Sequence, residues 1–255
     1  MTPGLDYREV FSDAMDREGE VELYGESADL FDILYSQMNT REKKEASVRR
    51  NVSEGSKVLD LACGTGIVSE AIDGDYDVTG ADLSRDMLEV ARSKDLQGDF
   101  VQADMQQLSF EEEFDAVLMY GQPFSHLESR EAVEAAADSV YDSLKSEGVM
   151  ITDVFAEDAG RLDVLGPEKD VFDENHEMVM KGEFTDYDAE EHSWNSYLVF
   201  QLRKGNQRTQ VWNQQELRGY SMADMEEILQ DSGFSVVGEE EIYPMDIYNG
   251  VWAVK

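Results

Sequence analysis

The sequence predicts an α/β chain built on a doubly wound, mostly parallel seven-stranded sheet with a small antiparallel β insertion. Three observations carry this expectation. From residue 57 onward, short apolar runs alternate with helix-periodic segments, the pattern of repeated strand and helix units. Three successive runs lead to carboxylates, at Asp60, Asp82 and Asp104, which places acids along one edge of a parallel sheet, where open α/β sheets bind ligands. From about Val171 to Glu216 the helical period gives way to strand alternation.

The first strand and its turn read Lys-Val-Leu-Asp-Leu-Ala-Cys-Gly-Thr-Gly from Lys57 to Gly66. Val58, Leu59 and Leu61 suit a buried parallel strand, and Gly64 and Gly66 permit a sharp turn that leaves room for a ligand beside the backbone. Asp60 is a carboxylate inside an apolar strand; taken alone, a strand, a turn and a solvated acid would explain it equally well. The second strand, Tyr76 to Ala81, runs into Asp82-Leu83-Ser84, and the third, Phe100 to Ala103, into Asp104-Met105.

In these residues the chain resembles the class I, Rossmann-like S-adenosylmethionine-dependent methyltransferases, over about residues 20 to 155. Asp60 to Gly66 matches their acidic-x-Gly-x-Gly-x-Gly motif, with Ala62 at the first glycine position. The resemblance implies that Asp60, Ala62, Gly64 and Gly66 cradle S-adenosylmethionine. It implies that Asp82, followed by Leu83, holds the ribose hydroxyls, which a carboxylate can accept as a pair. Asp104 and Met105 would lie beside the adenine. The stretch Tyr24 to Tyr35 resembles the segment that covers the site in small-molecule methyltransferases, so Tyr24 is a cofactor candidate. Tyr35 is a substrate candidate, against its plain reading as a helix-face core residue.

The 255 residues suffice for one sizeable core with an added subdomain. The expected division is an N-terminal helical cap at 1–52, the cofactor domain at 53–170 and 217–255, and the β insertion at 171–216. With 57 acidic and 21 basic residues, the formal charge is −36, and the acids are spread among segments that keep their apolar period. That excludes a disordered acidic tail. High-salt adaptation is the preferred account, because salt screens self-repulsion; a strongly basic partner is the competing one. Nucleic acid is disfavoured as a partner, since clusters of lysine and arginine are lacking. The single cysteine, Cys63, fits a reducing compartment, and a cytoplasmic location without membrane association is expected. Packing in the turn is its expected role.

Residues 1 to 22 suggest only a loose arm or short helix. From Glu26 to Met38, Leu30, Phe31, Leu34, Tyr35 and Met38 recur at helical spacing, and Thr40 to Asn51 is a charged helix. Ile67 to Ile72 forms a short helix whose free amides attract carboxylate. Ser84 caps the helix that buries Met87, Leu88 and Ala91. The fourth strand, Phe114 to Met119, leads to Tyr120-Gly-Gln-Pro-Phe-Ser-His126. By resemblance this strand end faces the transferable methyl group, so His126 is the candidate base and Tyr120 the candidate orienting group. Glu128 to Leu144 is an amphipathic helix and Val149 to Phe155 the fifth strand. One cysteine and three scattered histidines offer no metal-ligand spacing, and no metal is expected.

In the insertion, Trp194, Ser196, Leu198, Phe200 and Leu202 alternate with other residues, and Lys204-Gly205-Asn206 turns the chain. Trp194, Tyr197 and Trp212 are substrate candidates on this sheet, which is expected to serve as a substrate wall or a homodimer contact. A Ser221-x-x-Asp224 capping pattern opens a helix that ends at Gly233. Phe234 to Val237 and Val251 to Val254 complete the main sheet, the last strand antiparallel by resemblance.

The expected activity is methyl transfer to nitrogen or oxygen of a small molecule. The asparagine-proline-proline-aromatic signature of amino methylation on DNA bases or protein glutamine is missing, as is the proline-cysteine nucleophile of cytosine C5 enzymes. Three alternatives stay open: a nicotinamide oxidoreductase, although Ser69 stands at the third glycine position of that fingerprint; a cofactor-binding regulator without catalysis; and a macromolecular acceptor.

Overall fold

The structure, a computed structural model, describes residues 6–17, 19–36, 41–162, 164–240, 242 and 247–255. The N-terminal segment forms α1 (Tyr7–Ala14), the short strand β1 (Gly19–Glu20), α2 (Ala28–Ser36) and α3 (Arg41–Asn51). Asp6 caps α1 by accepting the Arg8 N–H. Residues 6–17 and 19–22 thus hold more structure than their composition announces. Met38 and Thr40 lie outside the described residues.

The main sheet then builds by alternation: β2 (Lys57–Leu61), α4 (Ile67–Ile72), β3 (Asp77–Asp82), α5 (Arg85–Ser93), β4 (Asp99–Gln102), β5 (Phe114–Met119), α6 (Arg130–Ser143) and β6 (Leu144–Phe155). A second sheet follows from β7 (Val164–Val171), β8 (His176–Asp188), β9 (Ser193–Lys204) and β10 (Gln207–Arg218). The chain closes with α7 (Met222–Asp231), β11 (Val236–Glu239) and β12 (Tyr248–Val254).

In the seven-stranded sheet the order is β11-β12-β6-β5-β2-β3-β4, with β12 antiparallel to both its neighbours and the pairings from β6 to β4 parallel. Helices on both faces explain why β2 is apolar in both registers. Leu59 and Leu61 pack with α6 and α7, while Val58 packs with Val48, Val68 and Ile72 from α3 and α4. Asp60 shares the second face and so points at α4. Ser221 and Asp224 form the reciprocal capping box expected at the start of α7.

The second sheet, ordered β1-β10-β9-β8-β7, is antiparallel except for the β1–β10 pairing. It begins at Val164, earlier than the expected 171, and runs to Arg218. One end of its inner face is covered by α1 and α2, where Phe11 and Leu30 meet Phe200 and Leu202. Helix α2 is also tied to the main sheet. Lys94, just after α5, reaches Asp32 of α2 at 2.5 Å and Glu70 of α4 at 3.5 Å, with both members of the first pair buried. Removing one partner of such a pair leaves a buried uncompensated charge and costs about 3–5 kcal/mol. Among the described residues, no helix is long and apolar enough to cross a membrane.

Candidate active site

The turn after β2 is left-handed at three alternate positions: Ala62, Gly64 and Gly66 have φ of 57°, 55° and 75°. Only glycine adopts this conformation without steric cost, so Ala62 is strained where the glycine of the motif would not be. Gly64 and Asp82 are locked together, because the Gly64 N–H donates to Asp82 Oδ2 at 2.8 Å and the Ser84 N–H donates to Oδ1 at 2.8 Å. Each carboxylate oxygen keeps a lone pair beyond these bonds. Burial raises the pKa of Asp82. Gly66 lies behind the turn, where an added Cβ would stand 3.3 Å from Ala91 and Phe100.

Asp60 is buried and accepts the Ser69 N–H at 3.0 Å and the Ser69 hydroxyl at 2.6 Å. Burial pushes its pKa up to about 6, against the lowering effect of these bonds. Ser69, which departs from the nicotinamide fingerprint, is therefore the residue that orients this acid. Burial raises the Cys63 thiol well above its ordinary pKa, so this cavity-lining group stays protonated.

Two connected hollows open from this turn. The smaller, about 160 Å³, is lined by Leu83, Asp104, Met105 and Leu127, and it shares Ala62, Asp82 and Met105 with the larger. Asp104 is fixed as the cap of a short 3-10 turn by accepting the Gln106 N–H. The larger cavity, about 760 Å³, passes Asp60, Gly64 and Asp82 and runs between the strand ends and the second sheet. Tyr24, Phe31 and Tyr35 border it, with the Phe31 and Tyr35 rings stacked at 4.2 Å.

His126 opens into the cavity, and the surrounding walls push its pKa down to about 4, so the imidazole is neutral at ordinary pH. Its ring meets Tyr24 edge to face at 5.8 Å. Burial pushes the Tyr24 phenol up to about 12, and Gln215 of β10 hydrogen-bonds it. Tyr120 contributes its ring to the wall, while its hydroxyl turns to the Lys44 carbonyl at 3.5 Å. The loop that carries His126 is held by Asp153 of β6. That carboxylate accepts the Gly121 N–H at 2.8 Å, the Gln122 N–H at 3.2 Å and the Gln122 side-chain amide.

The three substrate candidates of the insertion are not brought to this cavity. Side chains of β9 with even numbers face inward, so Ser196 and Leu198 line the cavity and Tyr197 points outward. Trp212 is on the outer face of β10 and pairs with Tyr197 at 5.9 Å. Trp194 faces inward but lies past the cavity, packed against Phe155, Phe184 and Leu217. Sequence reasoning missed Lys44 and Asp153, which carry no motif, and also Ser196 and Leu198, although the alternation already singled them out. Among the described residues no cluster of His, Cys, Asp and Glu is suited to a metal ion.

Residues 58–148 match the family model described as a methyltransferase domain. Over these residues the chain carries a methyltransferase domain. A curated relative, the dTDP-3-amino-3,4,6-trideoxy-alpha-D-glucopyranose N,N-dimethyltransferase of Streptomyces venezuelae, is 32% identical over 132 residues, 49% of this chain and 56% of that protein. The chain spans about half the length of the curated relatives it matches. The chain superposes on the solved structure of Streptomyces venezuelae DesVI with a TM-score of 0.76 and 22% identity, covering 90% of this chain and 98% of that one. The structure of S-adenosylmethionine-bound CalS10, an amino pentose methyltransferase from Micromonospora echinaspora, gives a TM-score of 0.76 at 16% identity, covering 89% and 97%.

The residues of this site fit S-adenosylmethionine as a cofactor. Gly64 leaves the cavity open, since a Cβ there would meet only Phe31, at 3.7 Å. The half-buried Asp82 and the buried Asp60 line the same cavity, and the Leu83–Met105 hollow suits an apolar ring.

Proposed function

We propose that this chain is a methyltransferase that moves a methyl group from S-adenosylmethionine to nitrogen or oxygen of a small molecule. One observation carries the reading: a single cavity joins the cofactor-motif residues Asp60, Gly64 and Asp82 to His126 and to an enclosed wall from the second sheet. Asp82 would hold the ribose, the Leu83–Met105 hollow the adenine, and Asp60 with Lys44 the charged amino acid end. Bound S-adenosylmethionine supplies an activated methyl on a sulfonium, so the acceptor's lone pair forms the new bond while the C–S pair remains on sulfur.

The protein's own task is alignment, exclusion of water and care of the acceptor's proton. Tyr24, Phe31 and Tyr35 cover the cavity and exclude water. His126, neutral and held beside Tyr24, accepts a hydrogen bond from the acceptor and orients its lone pair. Tyr24 stays protonated and donates. Asp153 holds the turn from which His126 projects. The amine-methylating relative favours nitrogen over oxygen.

The test is incorporation of labelled methyl groups into a cell extract sorted by size. Label in the small-molecule fraction supports the reading; label confined to protein or nucleic acid refutes the small-molecule acceptor. The charge of −36 supports a further proposal, that the fold is adapted to high salt. Unfolding on dialysis to low ionic strength, reversed in molar salt, is the expected result.

A further inference from the structure

The wall that faces the cofactor side narrows the acceptor. From the second sheet, Met180, Phe184, Leu198 and Leu217 line the cavity, and Phe155 and Tyr248 continue the same apolar surface. Ser196 and Gln215 are the polar side chains that this sheet adds, and Gln215 is engaged with Tyr24. The cations on the cavity, Lys43 and Lys44, both belong to α3, and Lys44 interacts with Asp60 and Asp153 on the strand-end side. Among the described residues no lysine or arginine lines the second-sheet wall, and none of the residues outside the described set is a lysine or arginine.

A phosphate or carboxylate is ordinarily recognised by such cations. The second-sheet wall carries none, and the cavity also holds Asp60 and Asp82 inside a chain of formal charge −36, a field that repels anions and concentrates amines. The His126 imidazole on the cavity wall, its pKa pushed down to about 4, is too weak a base to ionise a hydroxyl, whereas a neutral amine is already nucleophilic.

Resting on the methyltransferase reading, we propose that the acceptor is a small amine on an uncharged apolar or aromatic body, and that no nucleotide diphosphate is attached to it. The ammonium drawn in by this field first gives a proton to solvent; the freed nitrogen lone pair then bonds the methyl carbon while sulfur keeps the C–S pair, and any proton left on the product nitrogen passes to solvent.

The experiment is calorimetry on the full chain in molar salt, saturated with S-adenosylhomocysteine, which has no methyl group to donate. Phenethylamine is then titrated beside phenylpropionate, an anion of similar shape, and thymidine diphosphate. Phenethylamine is expected to bind at least about tenfold more tightly than phenylpropionate, without competition from thymidine diphosphate. Met180→Lys should weaken phenethylamine about tenfold or more and keep S-adenosylhomocysteine affinity, with Trp212→Ala on the outer face unchanged in both. Preference for the anion, displacement by thymidine diphosphate, or no binding of phenethylamine would each overturn the acceptor class. Failure of S-adenosylhomocysteine itself to bind would instead remove the methyltransferase reading.

Discussion

The strand-end wall of the cavity is made from backbone turns and carboxylates, whereas the wall opposite is made from apolar side chains of an antiparallel sheet. The first wall is fixed by hydrogen bonds such as Gly64 N–H to Asp82, so one residue change alters a specific contact. The second is fixed by packing, as at Leu198 and Phe184, and its chemistry is shared among many residues. One wall is therefore suited to a constant ligand and the other to a family-specific one.

The largest expected effect breaks the first wall. Asp82→Ala removes the acceptor of two backbone N–H groups together with the proposed ribose contact, and should weaken S-adenosylmethionine binding roughly a hundredfold, about 3 kcal/mol. Unchanged affinity in a calorimetric titration would undo the ribose assignment.

Next in size is a pH effect on the same wall. The Asp60 pKa is raised from 3.8 to about 6, so the folded protein holds that proton more tightly than the unfolded chain. The resulting stability is full below about pH 4 and is lost as pH rises through about 6. Affinity for the cofactor's ammonium should rise over that same window. Asp60→Asn should flatten both profiles, and a wild-type affinity independent of pH from 4 to 7 would show that Asp60 takes no part.

A smaller effect comes from relieving strain. Ala62→Gly should raise unfolding free energy by about 1 kcal/mol, as the left-handed conformation ceases to carry a Cβ penalty. A lower denaturation midpoint would contradict the strain argument. The smallest effect lies on the outer face of the second sheet. Trp212→Ala should cost about 1 kcal/mol of stability through its contact with Tyr197, and leave binding of cofactor product and acceptor unchanged. A loss of acceptor affinity would return that face to the site.

The same division decides what could be read from the sequence. The strands ending at Asp60, Asp82 and Asp104 and the helices beside them are local patterns, so the main sheet and the cofactor wall were legible residue by residue. Phe114 to Met119 and Ile67 to Ile72 have the bounds expected of them. On the second sheet the strands were legible, but aromatic size was a poor guide to the cavity. Parity was the better one, because Tyr197 and Trp212 fall on the opposite face from Ser196, Leu198 and Gln215. Lys44 and Asp153 were not legible, since their place at the cavity or behind its loop depends on contacts between distant segments.

The central claim is that the strand-end wall is an S-adenosylmethionine site, and calorimetric titration in molar salt tests it most directly. The account predicts that S-adenosylmethionine and S-adenosylhomocysteine both bind the purified chain and NAD does not. Binding of NAD alone would contradict it.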